Sequence, residues 1–223
     1  MELELVSFKI CPFVQRAVTT LRYQQTPFKL THIDLSDPPQ WFKAISPFGR
    51  VPLLKVDKRH VIFESAVINE FLDEITGGHL LPDDPLLRAQ SRSWIEFGTA
   101  CLLDLSAQMH ADEQQSFDSN RDELKSKLKW LEARLDQPPY FNGEKLSLVD
   151  FSYAPLFMRA EILTLGDQLY PAGHLPRTAA WGRRLLELPA VRESVAADFP
   201  ELLRNHIRAK APYAAQRLGL SPW

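Results

Sequence analysis

Two cysteines occur in the 223-residue chain, Cys11 and Cys101, and Cys11 stands where a thiol can do chemistry. It lies in the run Phe8-Lys9-Ile10-Cys11-Pro12-Phe13-Val14-Gln15-Arg16, between a short apolar strand, Leu3 to Phe8, and an amphipathic helix beginning near Val14. The free N–H groups and positive dipole end of such a helix favour a thiolate over a thiol. Pro12 suits the first helical turn, where a missing N–H costs little and φ is already fixed. The pattern predicts a nucleophilic, readily ionised cysteine; the competing reading is a small buried apolar residue, the usual state of a free cysteine. Cys101, in the apolar run Ala100-Cys101-Leu102-Leu103, reads as helix core. The six histidines show no metal-ligand spacing and no Ser-His-Asp arrangement can be argued, so no metal is expected.

The elements that must hold Cys11 come from residues 3 to 76. Strand-like runs at Leu3 to Phe8, Phe28 to Asp34, Leu53 to Val56 and Val61 to Phe63 alternate with helical patterns. Val14, Ala17, Val18 and Leu21 recur at helical spacing between the first two runs, so that connection is a crossover and the two strands should be parallel. The next two form an antiparallel hairpin turning at Asp57-Lys58-Arg59. Ser65 then opens a helix with Val67, Ile68, Phe71, Leu72 and Ile75 on its apolar side, stopping at Gly77-Gly78.

Gly77 to Pro85 reads as a linker, and everything beyond it is helical: Leu86 to His110, Asn120 to Asp136 ending at Pro138-Pro139, then helices near 178–187, 190–197 and 201–209. Ser147-Leu148-Val149-Asp150 has the form of a reciprocal capping box, with Asp in place of the commoner Glu. The expected fold is therefore α/β plus all-α, with domains over 1–76 and 86–223 joined by a linker at 77–85.

Composition removes other partners. A net charge of −2 and a pI near 6.3 give no electrostatic reason to bind nucleic acid or an anionic membrane. No signal-like N-terminus and no run of about 18 apolar residues occurs. With two widely spaced cysteines, a reducing compartment fits, and the expected location is the cytoplasm.

Pro52, before the third strand, could be an ordinary edge-strand proline. A sheet with a cysteine at a strand-to-helix junction and a proline before its third strand resembles the thioredoxin fold, in which that proline is cis and lies beside the thiol. Four blocks extend the likeness: Cys11-Pro12-Phe13, Pro47 to Leu54, Glu64 to Glu74, and Leu80-Leu81-Pro82-Asp83-Asp84-Pro85. In this order and spacing they resemble an omega-class glutathione transferase, and the helical remainder with its Ser147–Asp150 box is similar to glutathione transferases generally.

The resemblance implies glutathione as co-substrate and Cys11 as catalytic nucleophile, in the place where other classes carry tyrosine or serine. A cysteine there can attack a disulfide or a glutathionylated substrate, so reduction replaces conjugation. Val14 occupies the position of the resolving cysteine of dithiol enzymes, which leaves a one-cysteine cycle. Phe13, Val51, Pro52, Glu64 and Ser65 are the implied glutathione-binding residues: backbone pairing at Val51, the ligand's ammonium at Glu64, its γ-glutamyl carboxylate at Ser65 and the helix N-terminus. On spacing alone the plainer reading is preferred, Ser65 as a helix cap and Glu64 as a solvated charge; the four blocks together reverse it. Pro38 stands where omega proteins typically carry a lysine for the glycine carboxylate, leaving Lys43 and Arg50 as available cations. The second-substrate pocket is expected near Phe13 with Trp94, Phe97 and Trp181, which are also plausible core.

The implied partners are glutathione, a small electrophilic or disulfide substrate such as dehydroascorbate, and a second copy of the chain in a homodimer. Two alternatives share the fold. Pro139-Tyr140-Phe141, Ser147 to Asp150 and Tyr153-Ala154-Pro155-Leu156 also resemble stringent starvation protein A, a non-catalytic RNA-polymerase-associated adaptor without the cysteine motif. Glutathionyl-hydroquinone reductases usually carry tryptophan after the Cys-Pro pair, where this chain has Phe13.

Overall fold

The computed structural model describes residues 1–136 and 139–220. Its first part runs β1 (Leu3–Ser7), α1 (Pro12–Tyr23), β2 (Lys29–His32), α2 (Gln40–Ile45), β3 (Leu53–Val56), β4 (His60–Phe63) and α3 (Ser65–Ile75). The rest is helical among the described residues: α4 (Pro85–Met109), α5 (Gln114–Arg134), α6 (Leu148–Ile162), α7 (Gly166–Leu169), α8 (Pro176–Glu187), α9 (Pro189–Arg192), α10 (Phe199–Lys210) and α11 (Pro212–Arg217).

The four strands form one sheet in the order β2-β1-β3-β4. β1 pairs parallel with β2, Leu5 opposite Leu30, and antiparallel with β3, Leu5 opposite Leu54. β3 and β4 form the expected hairpin, and Asp57 and Lys58 take the positive φ its turn requires. β1 is central, so Leu5 and Val6, which point to opposite faces, are both fully buried. β2 lies at the edge, mostly exposed, and stops at His32 rather than Asp34.

Three helices were not anticipated: α2, α7 and α11, of six, four and six residues. Segments that short show too little periodicity to be read. α2 buries only Phe42, which joins the apolar cluster around the sheet. The helix expected over 190–197 is a single turn, Pro189–Arg192. Beyond it Ser194 Oγ bonds back to the Val191 carbonyl and accepts from Gln15 Nε2 of α1, so the chain is tied to α1 instead of continuing as helix. α5 starts at Gln114, six residues before Asn120, and its stripe Leu124, Leu128, Leu131 and Leu135 is buried as expected. Pro138, named as part of the stop after it, lies outside the described residues.

Two apolar clusters result, one around the sheet and one among the helices. α6 is the hub of the second. Its N-terminus carries the capping box between Ser147 and Asp150, and Asp150, fully buried, also accepts from Phe141 N–H at 2.9 Å and Trp181 Nε1 at 2.8 Å. α8 approaches α6 closely enough that a Cβ on Gly182 would lie 2.6 Å from Phe157 Cδ1.

Two buried arginines join α1 to α6. Arg16 Nε donates to the Ser152 carbonyl at 3.0 Å; Arg159 Nη1 donates to Gln15 Oε1 at 2.7 Å and Nη2 to the Ile10 carbonyl at 2.8 Å. Neither forms a carboxylate ion pair among the described residues, and burial pulls both down to about 10, which leaves them charged at neutral pH.

Candidate active site

β1 delivers the chain to a turn closed by Cys11 N–H on the Phe8 carbonyl at 3.0 Å. α1 then begins at Pro12, two residues before Val14, with Cys11 as its extended N-cap residue. The thiol is half-buried and donates to the Val51 carbonyl at 3.8 Å. Four features favour its ionised form: the backbone N–H groups of Val14 and Phe13, and the guanidiniums of Arg159 and Arg16. Desolvation outweighs them, and the Cys11 pKa is raised. The expectation of a readily ionised thiol is thereby corrected. The sequence supplies the helix terminus, but the cost of placing charge among packed side chains depends on the surrounding fold. Burial thus pushes Cys11 toward the neutral thiol, from which the Val51 carbonyl accepts a hydrogen bond.

Beside it lies a cavity of about 390 Å³ that brings together Phe13, Val51, Pro52, Glu64 and Ser65, five residues spread over 53 positions of sequence. The Val51-Pro52 bond is cis, as the resemblance implied. Glu64 is the N-cap residue of α3, exposed, with φ of +69°. Ser65 opens the helix, and its hydroxyl accepts from Arg16 Nη1 at 3.5 Å, the same nitrogen that reaches Thr99 Oγ1 at 2.9 Å. Ser46, Arg50, Glu96 and Thr99 complete the polar lining. Arg50 thus lies on the cavity wall, whereas Lys43 does not line it. Sequence reasoning had treated both cations alike, because Arg50 comes into position through the loop preceding Pro52.

A second cavity, about 270 Å³, adjoins the first across Phe13, Arg50, Val51 and Leu103, and Cys11 lies on its wall. It is mainly apolar, with Phe8, Ile10, Leu102, Met109 and Leu203, and its polar groups include Arg159, Ser106, His110 and His206. None of Trp94, Phe97 or Trp181, the aromatics expected near a second substrate, lines it. Trp94 packs on Phe97 and Phe141 at ring-centroid distances of 5.1 and 5.5 Å. Trp181 is buried against Tyr153 and Phe157 while bonded to Asp150. Their size and apolarity are used in the helical core. The residues that do line the cavity come from five separate parts of the chain, and no local pattern marks them.

Cys11 also borders a third cavity of about 470 Å³, between α1, β2 and the 193–202 segment, with Lys9, Arg22, His32, Glu193 and Asp198 on its walls. Among the described residues no three His, Cys, Asp or Glu side chains are grouped to hold a metal ion, and no helix is long and apolar enough to cross a membrane.

Family models for the glutathione S-transferase N-terminal domain and C-terminal domain match residues 10–75 and 114–204. Glutathione S-transferase omega-1 of Sus scrofa is 30% identical over 192 residues, covering 85% of this chain and 78% of the relative. The chain belongs to the glutathione S-transferase family. Pyrimidodiazepine synthase of Drosophila melanogaster is 32% identical over 196 residues, covering 85% and 79% of the two chains. The crystal structure of glutathione transferase Omega 3C from Trametes versicolor superposes with a TM-score of 0.77 at 24% identity, covering 88% and 90%. At that identity the likeness speaks for the glutathione S-transferase fold alone: a mixed four-stranded sheet with helices, followed by a helical domain.

Proposed function

We propose that this glutathione S-transferase is a glutathione-dependent thiol transferase and reductase that works through a mixed disulfide on Cys11. The observation carrying this is the placement of the Cys11 thiol at a helix N-terminus, beside a cavity that gathers Phe13, Val51, Pro52, Glu64 and Ser65. Glutathione occupies that cavity in this proposal. Val51 offers its backbone to the cysteinyl unit; its N–H donates to no group among the described residues. Glu64 takes the ammonium, and Ser65 with the first N–H groups of α3 takes the γ-glutamyl carboxylate. Arg50 supplies the cation for the glycine carboxylate that Pro38 cannot.

Two balanced steps follow. Cys11 sulfur attacks the glutathionyl sulfur of RS–SG; the Cys11–SG bond forms, the RS–SG disulfide bond breaks with its electron pair on the RS sulfur, and the thiol proton ends on that sulfur as R–SH. A second glutathione then attacks Cys11–SG, giving oxidised glutathione and the free thiol. Dehydroascorbate can be reduced by the same enzyme, two glutathiones supplying its two electrons and two protons. The second substrate sits in the 270 Å³ cavity, whose size and walls suit a small, largely apolar molecule.

The proposal includes domains over 1–76 and 86–223 with a linker at 77–85, a cytoplasmic location, and a homodimer. Phe48 and Val67, 62% and 53% exposed at the edge of the glutathione cavity, are apolar surface a second copy would cover. The deciding experiment compares wild type with Cys11→Ser in glutathione-dependent reduction of a glutathionyl mixed disulfide, with glutathione binding followed by calorimetry. Turnover is lost in the variant while glutathione still binds. Unchanged turnover removes Cys11 from the reaction, and no glutathione binding by either protein turns the assignment to a non-catalytic adaptor.

A further inference from the structure

A half-buried thiol that must become a nucleophile near neutral pH needs somewhere to send its proton, and the Val51 carbonyl that now accepts its hydrogen bond cannot take it. The 270 Å³ cavity on whose wall Cys11 lies has no carboxylate and no tyrosine among its lining residues. Its ionisable groups besides Cys11 are Arg50, Arg159, His110 and His206. Guanidiniums do not accept protons at this pH. The two imidazoles remain.

They form a pair. His110, at the C-terminal end of α4, and His206, on α10, meet with their Nε2 atoms 3.2 Å apart. The hydrogen-bond chain fixes where their protons lie. His110 Nδ1 is 2.8 Å from the Ser106 carbonyl, which only accepts, so Nδ1 carries the hydrogen and the neutral ring presents a lone pair at Nε2. His206 Nε2 must therefore be the donor between the rings, which leaves the His206 Nδ1 lone pair as the open position for a further proton. The Phe8 ring packs edge-on against His206 at 6.1 Å.

We infer that the His110–His206 pair is the proton acceptor for the Cys11 thiol and the proton donor to the departing thiolate of the second substrate. The inference rests on the disulfide-reducing role proposed above. As Cys11 sulfur bonds to the glutathionyl sulfur, its proton passes to the pair across the cavity they share. As the RS–SG disulfide bond breaks, the pair returns that proton to R–S⁻, so the pair ends the step as it began and no outside oxidant or reductant is involved. Burial first, then His110 and Lys210, hold the His206 pKa below its ordinary value, which leaves its ring unprotonated and open to a proton near neutral pH, and Arg159 and Arg50 share the cavity. From α1, Arg16 adds to the positive field at the sulfur that stabilises the thiolate once formed. His32 and the carboxylates Glu193 and Asp198 border the separate third cavity and serve as the control.

The experiment measures two quantities from pH 6 to 10 in wild type, His110→Gln, His206→Gln and His32→Gln: kcat/KM for reduction of a glutathionyl mixed disulfide, and the rate of Cys11 alkylation by iodoacetamide, Cys101 being buried. His110 is exposed, so its substitution does not threaten the fold. Either pair variant loses about 10- to 100-fold in kcat/KM and about 10-fold in alkylation at pH 7, and both rates approach wild type as pH rises toward 10, where hydroxide takes over removal of the thiol proton. His32→Gln follows wild type throughout. Pair variants within twofold of wild type at pH 7, or reduced equally at pH 7 and pH 10, overturn the inference. Should wild type reduce no disulfide, the proposed function fails while the alkylation profiles still decide whether the pair takes the thiol proton.

Discussion

Replacing Asp150 tests how α6, and with it Arg159, is held against Cys11. The carboxylate is fully buried and accepts four hydrogen bonds: from Phe141 N–H at 2.9 Å, Ser147 N–H at 2.8 Å, Ser147 Oγ at 2.7 Å and Trp181 Nε1 at 2.8 Å. Asp150→Ala strands three N–H donors in the interior, since the hydroxyl alone can turn elsewhere. At about 1–3 kcal/mol for each stranded donor, less what is recovered when a buried charge is removed and water enters, the net loss is about 3–5 kcal/mol. Asp150→Asn keeps an acceptor for Phe141 and Trp181 but turns an amide donor toward Ser147 N–H, so it costs roughly half as much. Urea unfolding followed by tryptophan fluorescence and by circular dichroism measures both, with an unchanged denaturant slope certifying that stability and not compactness has moved. A loss under about 1 kcal/mol for Asp150→Ala would refute the reasoning, because the four bonds would then be no better than bonds to water.

Three further outcomes follow from single sites. Gly182→Ala, which on helix propensity alone should stabilise by about 0.5–1 kcal/mol, instead destabilises by about 1–3 kcal/mol because the new methyl meets the Phe157 ring at 2.6 Å; a raised melting temperature would contradict this. Glu4 is held down to about 2 from an ordinary 4.5 by the Thr31 hydroxyl first, then by Lys55 and Lys29. Its pKa is lower in the folded state, so its contribution is present above pH 4.5 and disappears as pH falls toward 2. Wild type therefore loses about 1–2 kcal/mol more than Glu4→Gln across that window in urea titrations, and parallel curves would remove the assignment. Arg50→Ala raises KM for glutathione about 3- to 10-fold with kcat held, an effect that shrinks with added salt; an unchanged KM at low ionic strength would show that Arg50 makes no contact with the tripeptide.

By itself the sequence determined whatever is local or periodic. The strand Leu3–Ser7, the crossover helix after it, the hairpin turn at Asp57-Lys58 and the Ser147–Asp150 box all depend on neighbours within a few residues, and all formed. The position of Cys11 at a helix start was legible for the same reason, and four blocks in register carried the glutathione S-transferase assignment. Tertiary structure alone decided the state of that thiol, since desolvation is a property of everything packed around Cys11 and here it overcomes the helix terminus. It also decided the use of the large aromatics: Trp94 and Trp181 went to the helical core, and the cavity over the thiol was walled by other elements. His110 and His206 are 96 residues apart and become neighbours only when α10 folds back across the end of α4. No spacing in the chain records that approach, because side chains meet through the docking of whole helices and not through the sequence separation between them.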